Sequence, residues 1–314
     1  MTKMRYLQLF NQGCGLLILS GVVMSAHAEE SLLQKQANAA LSLIAFTVTP
    51  DITASNLSIN DHSSGNSDLI LTQLGGGATL SSEIPVYLEG TMGYSRYDPE
   101  YVISEGETSR TVPVKWNTLS ASGGIGWDFP LAKNWVFRPI ANISLGTVAS
   151  DLRIANWFIE KRLSKELAFL DNGRLNALGL GGSLMVDYEL FSEEQDIDME
   201  FRYSLIGLDS FGDTAAIVRG HATAENINIY LRRRAPTGFE LLERPVRYVM
   251  EGARTEYLGE QRGALGFDAL NSLGLGLELD SSKYDIIITR TRLVGRYMFG
   301  ENTQGFSVGL AVSF

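Results

Sequence analysis

The stretch Gly305-Phe-Ser-Val-Gly-Leu-Ala-Val-Ser-Phe314 alternates without a break. Phe306, Val308, Leu310, Val312 and Phe314 are apolar, while Ser307, Gly309, Ala311 and Ser313 between them are small. A period of two is the signature of a β-strand whose faces meet different surroundings. In a soluble sandwich the second face would usually carry charges toward water. Small residues there predict a crowded, enclosed interior instead.

The same period recurs upstream. It predicts twelve strands, over 42–52, 68–80, 84–97, 111–129, 134–149, 174–191, 196–209, 215–234, 244–258, 264–280, 285–299 and 305–314. Thirty-two glycines and eight prolines, with few helical patterns, fit many strands joined by turns. The fold class expected is all-β: a transmembrane antiparallel barrel of about twelve strands with a short N-terminal helix in its lumen. Links one, three and five (53–67, 98–110, 150–173) are long, and links two, four and six (81–83, 130–133, 192–195) are short. Outer-membrane barrels show this asymmetry, with short periplasmic turns and longer extracellular loops. The link 235–243 breaks the rule, being long on the predicted periplasmic side.

The amino terminus sets the compartment. Lys3 and Arg5 precede an apolar run from Gly13 to Met24, and Ala26-His27-Ala28 supplies small residues two apart. This predicts a signal peptide over 1–28, too short to span a bilayer as a helix. Its removal would take away the single cysteine, Cys14, and with it all thiol chemistry. The chain carries a formal charge of −10, which disfavours nucleic acid as a partner. Ser31 with Gln34 resembles a capping box, so residues 29–41 are predicted as a helix ahead of a barrel over 42–314.

Periodicity also assigns faces. Ile197, Met199, Phe201, Tyr203 and Leu205 are expected to face lipid, with Asp198, Glu200, Arg202 and Ser204 facing the lumen. Over 264–280, Leu265, Phe267, Leu273, Leu275, Leu277 and Leu279 point out, while Asp268, Ser272, Gly274, Gly276 and Glu278 point in. Arg290, Arg292 and Arg296 join them. On the lipid face each arginine near the midplane would cost about 2–4 kcal/mol, which fixes the register. Breaks of phase near Glu225 and Gly252 predict β-bulges or departure of the strands from the membrane. Trp127, Phe129, Trp135, Phe137, Tyr188 and Phe191 at one end, with Tyr94, Tyr97 and Tyr257 at the other, predict interfacial girdles.

The lumen candidates are of mixed sign, which predicts structural ion pairing; three arginines on one strand could otherwise form a ladder for anionic solutes. Glycine runs at 75–77 and 179–182 are not followed by a helix and predict close approach of a plug to the wall. No metal-ligand spacing stands out, and no cofactor is expected. His62 with Ser64 is faintly similar to the His-x-Ser of outer-membrane phospholipase A, though it lies in an Asn/Ser/Gly-rich loop. His221, in a predicted inward register with Arg219 and Glu225, is the other starting point for a hydrolase. Between 151 and 172, Ile154, Trp157, Phe158, Leu163, Leu167 and Leu170 interleave with charges and predict an amphipathic helix. Trp157 and Phe158 would be buried in the mouth if it is a lid; it could equally lie on the outer leaflet or receive an extracellular partner.

A short helix followed by twelve strands ending on an aromatic residue resembles the translocator domain of autotransporters, here without room for a passenger, as in solitary outer-membrane autotransporter-like barrels. The resemblance implies outer-membrane lipid as surroundings and Phe314 as the signal read by the barrel-assembly machinery. It carries over no functional residue. The expected function is a non-enzymatic scaffold, surface-binding protein or gated pore, with a porin-like anion channel as alternative and an outer-membrane hydrolase as a more distant one.

Overall fold

In a computed structural model of the chain, the residues described are 41, 43–48, 56–61, 68–98, 100–105, 108–113, 115–150, 174–211, 220–264, 267–281, 289–301 and 303–313. One short helix, α1, covers 41 and 43–48. The strands are β1 (Asn56–Asp61), β2 (Asp68–Thr79), β3 (Val86–Asp98), β4 (Glu100–Glu105), β5 (Thr108–Pro113), β6 (Trp116–Trp127), β7 (Phe129–Ala132) and β8 (Trp135–Ser150). They continue as β9 (Arg174–Phe191), β10 (Asp196–Phe211), β11 (His221–Leu241), β12 (Arg244–Tyr257), β13 (Ala269–Asp280), β14 (Arg290–Gly300) and β15 (Thr303–Ser313).

Strand pairing closes on itself. β1 lies between β2 and β15, and β6 lies between β3 and β8, so β6-β3-β2-β1-β15-β14-β13-β12-β11-β10-β9-β8 form an antiparallel ring of twelve. Among the described residues the closing seam is short: β1 pairs with β15 over 58–61 and with β2 over 56–60, toward the long-loop end. β7 pairs only with β8, and β4 with β5 makes a hairpin apart from the ring, running from the link expected to be loop (98–110) into the start of the strand expected over 111–129.

The count of twelve strands matches, but the first strand is not where alternation puts it. Ile44, Phe46 and Val48 read as strand, whereas residues 43–48 are helical and the first barrel strand is β1, inside the expected first loop. The expected helix over 29–40 lies outside the described residues, as does Phe314.

The faces along the strands follow period two. On β10, Asp198, Arg202 and Ser204 are buried toward the lumen while Met199, Phe201 and Leu205 are exposed outward. On β13, Ser272, Gly274 and Glu278 are buried and Leu273, Leu275 and Leu277 exposed. On β15, Phe306, Val308 and Leu310 are exposed and Ser307 is buried.

The expected breaks of phase at Glu225 and Gly252 do not occur. β11 keeps its register with β10 through Glu225, β12 keeps its register with β11 and β13 through Gly252, and the irregularity lies between Pro236 and Glu240. Residues 235–241 are strand, so the long link at 235–243 contracts to the turn Leu242-Glu243, which restores the short-turn rule there. Both turn residues have positive φ, 54° and 61°, the backbone of a type I′ hairpin without its usual Asn-Gly. The rule fails instead at β13–β14, where the link on the short-turn end runs through 281–289.

Candidate functional site

The lumen has two halves of different chemistry. At the long-loop end sits α1, with Leu41, Leu43, Ile44, Ala45, Phe46 and Val48 all buried. They form one cluster with inward residues of the wall, among them Leu71 of β2, Trp116 of β6, Val148 of β8, Ile206 and Leu208 of β10, and Met298 of β14. A segment apolar on every side is stable only when enclosed. Inside the ring it has no strand to pair with, so its amides and carbonyls must bond within the segment, which only a helix allows. That need overrides the alternation of Ile44, Phe46 and Val48.

Two features hold the helix across the lumen. Its last turn leaves carbonyls without helical partners, and the wall supplies donors to one of them. The Thr47 carbonyl accepts from Gln73 Nε2 at 3.3 Å and from Ser120 Oγ at 3.2 Å. The Thr47 hydroxyl donates back to the Ile44 carbonyl at 2.8 Å. On the far side, Phe46 packs on Tyr257 (centroids 4.7 Å) and Phe267 (6.2 Å). Tyr257 belongs to β12, which faces β3 across the ring, so the helix touches opposite walls.

Tyr257, Phe267 and Tyr97 therefore do not behave as expected. All three join the helix cluster: Tyr257 and Phe267 as buried members, where Phe46 offers an aromatic contact that lipid does not, and Tyr97 packed against the cluster. Tyr94, exposed, remains on the outside together with Tyr297 and Phe306, whose rings lie 5.2 Å apart.

Glycine makes room at two points. A Cβ on Gly146 would fall well inside contact distance of Ile44 Cγ2, and one on Gly93 would come within 2.9 Å of Thr47. The runs 75–77 and 179–182 serve other neighbours than the expected plug: Gly77 faces the Tyr87 ring, and Gly179 faces Leu208 and Ile206.

The short-turn half of the lumen is ionic. On the β11–β14 wall, Arg296 grips Glu251 with Nε at 2.9 Å and Nη2 at 2.8 Å. Arg292 lies 3.6 Å from Glu278 and 3.8 Å from Glu251, and Arg290 lies 3.5 Å from Asp196 and 3.9 Å from Asp280. Arg234 joins Asp196, Asp198 and Glu278, Arg232 bonds Asp198 at 3.0 Å, and Arg247 reaches Asp196 at 2.7 Å. On the β3–β10 wall, Arg202 holds Glu89 bidentately at 2.8 and 2.7 Å, with Asn142 donating to the same carboxylate. Arg138 pairs with Asp128 and Asp187 and stacks over Tyr87 at 4.0 Å.

Of the sequence-predicted lumen residues, Asp198, Arg202, Glu278, Arg290, Arg292 and Arg296 enter these ion pairs. Glu200 shares their face on β10 and is half-buried. Asp268 does not line the lumen; it precedes β13 in the long-loop link, where Arg262 Nε donates to it at 2.8 Å. Asp196, Glu251, Arg232, Arg234 and Arg247 were missed. Arg247, Val249, Glu251, Ala253 and Thr255 do alternate, and that period was available as a signal, but the expected break at Gly252 hid it.

The arginines also explain the small face of β15. A Cβ on Gly309 would collide with the Arg296 guanidinium, and one on Gly274 would meet Arg296 Cγ at 3.1 Å. The space left by those residues is the space the ion pairs occupy.

His221 is exposed and points outward, with Nδ1 2.9 Å from Asp209 at the long-loop rim, because β11 keeps its register through Glu225. Glu225 also faces out and accepts from the Tyr203 hydroxyl at 2.8 Å. Arg219, His62, Trp157 and Phe158 lie outside the described residues. Among the described residues no group of three or more His, Cys, Asp or Glu is arranged to hold a metal. A cavity of about 740 Å³ lies on the outer wall, lined by residues including Ile125, Ala141, Gly182 and Leu205.

A ring of strands, apolar outside and charged within, defines the class: this is an outer-membrane β-barrel. Within that class it is autotransporter-like, since residues 51–151 match the family model described as autotransporter beta-domain. Similar solved structures include the beta domain of the Bordetella autotransporter Brka, at 13% identity, covering 82% of this chain and 96% of that one, with a TM-score of 0.46. The transport unit of the autotransporter AIDA-I from Escherichia coli follows, at 12% identity, 88% and 99% coverage, and a TM-score of 0.43. The translocator domain of autotransporter NalP from Neisseria meningitidis gives 11%, 82% and 85%, and 0.41. No curated protein matches the chain.

Proposed function

We propose that this protein is a non-enzymatic outer-membrane barrel closed by its own helix, a gate or scaffold and not an open channel. The observation that carries this reading is the burial of α1 against nearly the whole circumference of the lumen at the long-loop end. By the asymmetry of turns and loops that end is extracellular, so the helix stands between the outside and the ionic lower lumen. The arginines proposed as an anion ladder all have carboxylates within 4 Å, which favours their holding the wall over attracting solute. Residues 1–28 act as an export signal, and the barrel-assembly machinery inserts the chain. A bound extracellular partner that competes with the wall for α1 would open the pore.

Planar-bilayer recording tests this. The full chain should conduct poorly, and deletion of 29–48 should leave a folded barrel with larger conductance. A full-length protein that already conducts as an open pore for anions would replace this reading with the channel. Hydrolysis of added lipid or peptide that disappears on replacing His221 would replace it with an enzyme.

A further inference from the structure

The lipid-facing surface does not end where the strands end. At two neighbouring short turns, large apolar side chains stand exposed: Leu80 and Ile84 between β2 and β3, Phe129 and Leu131 on β7 between β6 and β8, and Trp135 at the start of β8. The turns are tied together, with Asp128 N–H donating to the Pro85 carbonyl at 2.8 Å. The patch is continuous with the outward face above it through Trp127, paired with Val86, and through Trp135, whose ring packs 4.9 Å from Tyr188. On the described long-loop rim the charged residues Arg254, Glu260 and Arg262 are exposed, beside Phe211 and Phe299.

Height gives the patch a reason. On β3 the outward residues run from Tyr94 through Met92 and Leu88. Stopping at Val86, the last outward residue of β3, leaves about eight residue steps and about 19 Å of membrane height at about 3.3 Å per residue and a tilt of about 45°, short of the roughly 25 Å apolar band. Continuing to Ile84 gives ten residues and about 23 Å by the same measure. On β2 the step from Ile70 to Leu80 gives the same length. Only with the turns included does this side of the barrel match the hydrocarbon.

We propose that the β2–β3 and β6–β8 turns are immersed in the phospholipid of the periplasmic leaflet and set the depth of the barrel in the membrane. Leu80, Ile84, Phe129, Leu131 and Trp135 contact acyl chains, while Glu83 and Lys133 reach headgroups.

The test uses the full chain carrying Cys14→Ser and one new cysteine, Leu131→Cys, Leu88→Cys or Glu260→Cys, labelled with bimane and reconstituted in phosphatidylcholine vesicles with or without nitroxide-labelled lipid. The label at position 131 should lose as much fluorescence to the nitroxide lipid as the one at 88, and resist aqueous iodide, while the one at 260 shows the opposite. Iodide quenching at 131 equal to that at 260 would overturn the proposal and leave the patch as a surface for a periplasmic protein. Absence of lipid quenching at 88 as well would overturn both the proposal and the outward register of β3.

Discussion

If the helix is a plug, a methyl group on the wall should loosen it, and trimming the side chain it meets should undo the damage. Gly146 lies between Ser120 of β6 and Ala177 of β9, so the sheet cannot yield and Ile44 must move when Gly146→Ala adds a Cβ against its Cγ2. Overpacking of this kind costs about 1–3 kcal/mol. That is about a 5- to 150-fold shift toward the undocked helix. Ile44→Ala alone leaves a cavity and costs about 2–5 kcal/mol. Additive effects would place the double variant at about 3–8 kcal/mol. The geometry predicts otherwise. Every Ile44 atom near the new Cβ (Cγ1, Cγ2, Cδ1) is removed by Ile44→Ala, so the double variant should match Ile44→Ala alone, a coupling of about 1–3 kcal/mol. Open-time fractions in planar bilayers give the four corners of the cycle, with heat-modifiable electrophoretic mobility as the check that each barrel is folded. Strict additivity, or no change in open time on Gly146→Ala, would refute the docked position of Ile44.

Leu275→Arg, which places a charge on the lipid face of β13, should destabilise the inserted barrel by about 2–4 kcal/mol in denaturant titration, whereas Leu275→Phe should not. Arg202→Met strands the buried Glu89 carboxylate and should cost about 3–5 kcal/mol; adding Glu89→Leu should recover most of it, and a failure to recover would mean the pair is more than an ion pair. Gln73→Leu and Ser120→Ala each remove a donor to the Thr47 carbonyl and should each raise open time by roughly the fivefold that about 1 kcal/mol allows. Leu242→Asn with Glu243→Gly relieves two positive-φ residues and should raise stability by about 1–2 kcal/mol, read as a higher denaturant midpoint at unchanged slope.

The wall of this protein was legible because lipid and lumen are opposite demands on alternate residues. Phe201 and Arg202, or Leu277 and Glu278, cannot exchange faces without placing charge in hydrocarbon, so period two fixes the register of β10 and β13 from the sequence alone. The lumen was legible only as a set of inward charges. That Arg296 belongs to Glu251, two strands away across Gly274, depends on which strands neighbour each other and on the space a missing side chain leaves. The β11–β12 turn gave no signal, because Leu242 and Glu243 take a backbone that Asn and Gly usually mark. The helix was hidden for a deeper reason. Ile44, Phe46 and Val48 satisfy the same alternation as any strand here, and nothing local distinguishes them. What decided their structure was enclosure: within a completed ring every hydrogen-bonding position of the wall at that height is paired to another strand, and a segment left inside must satisfy its own backbone.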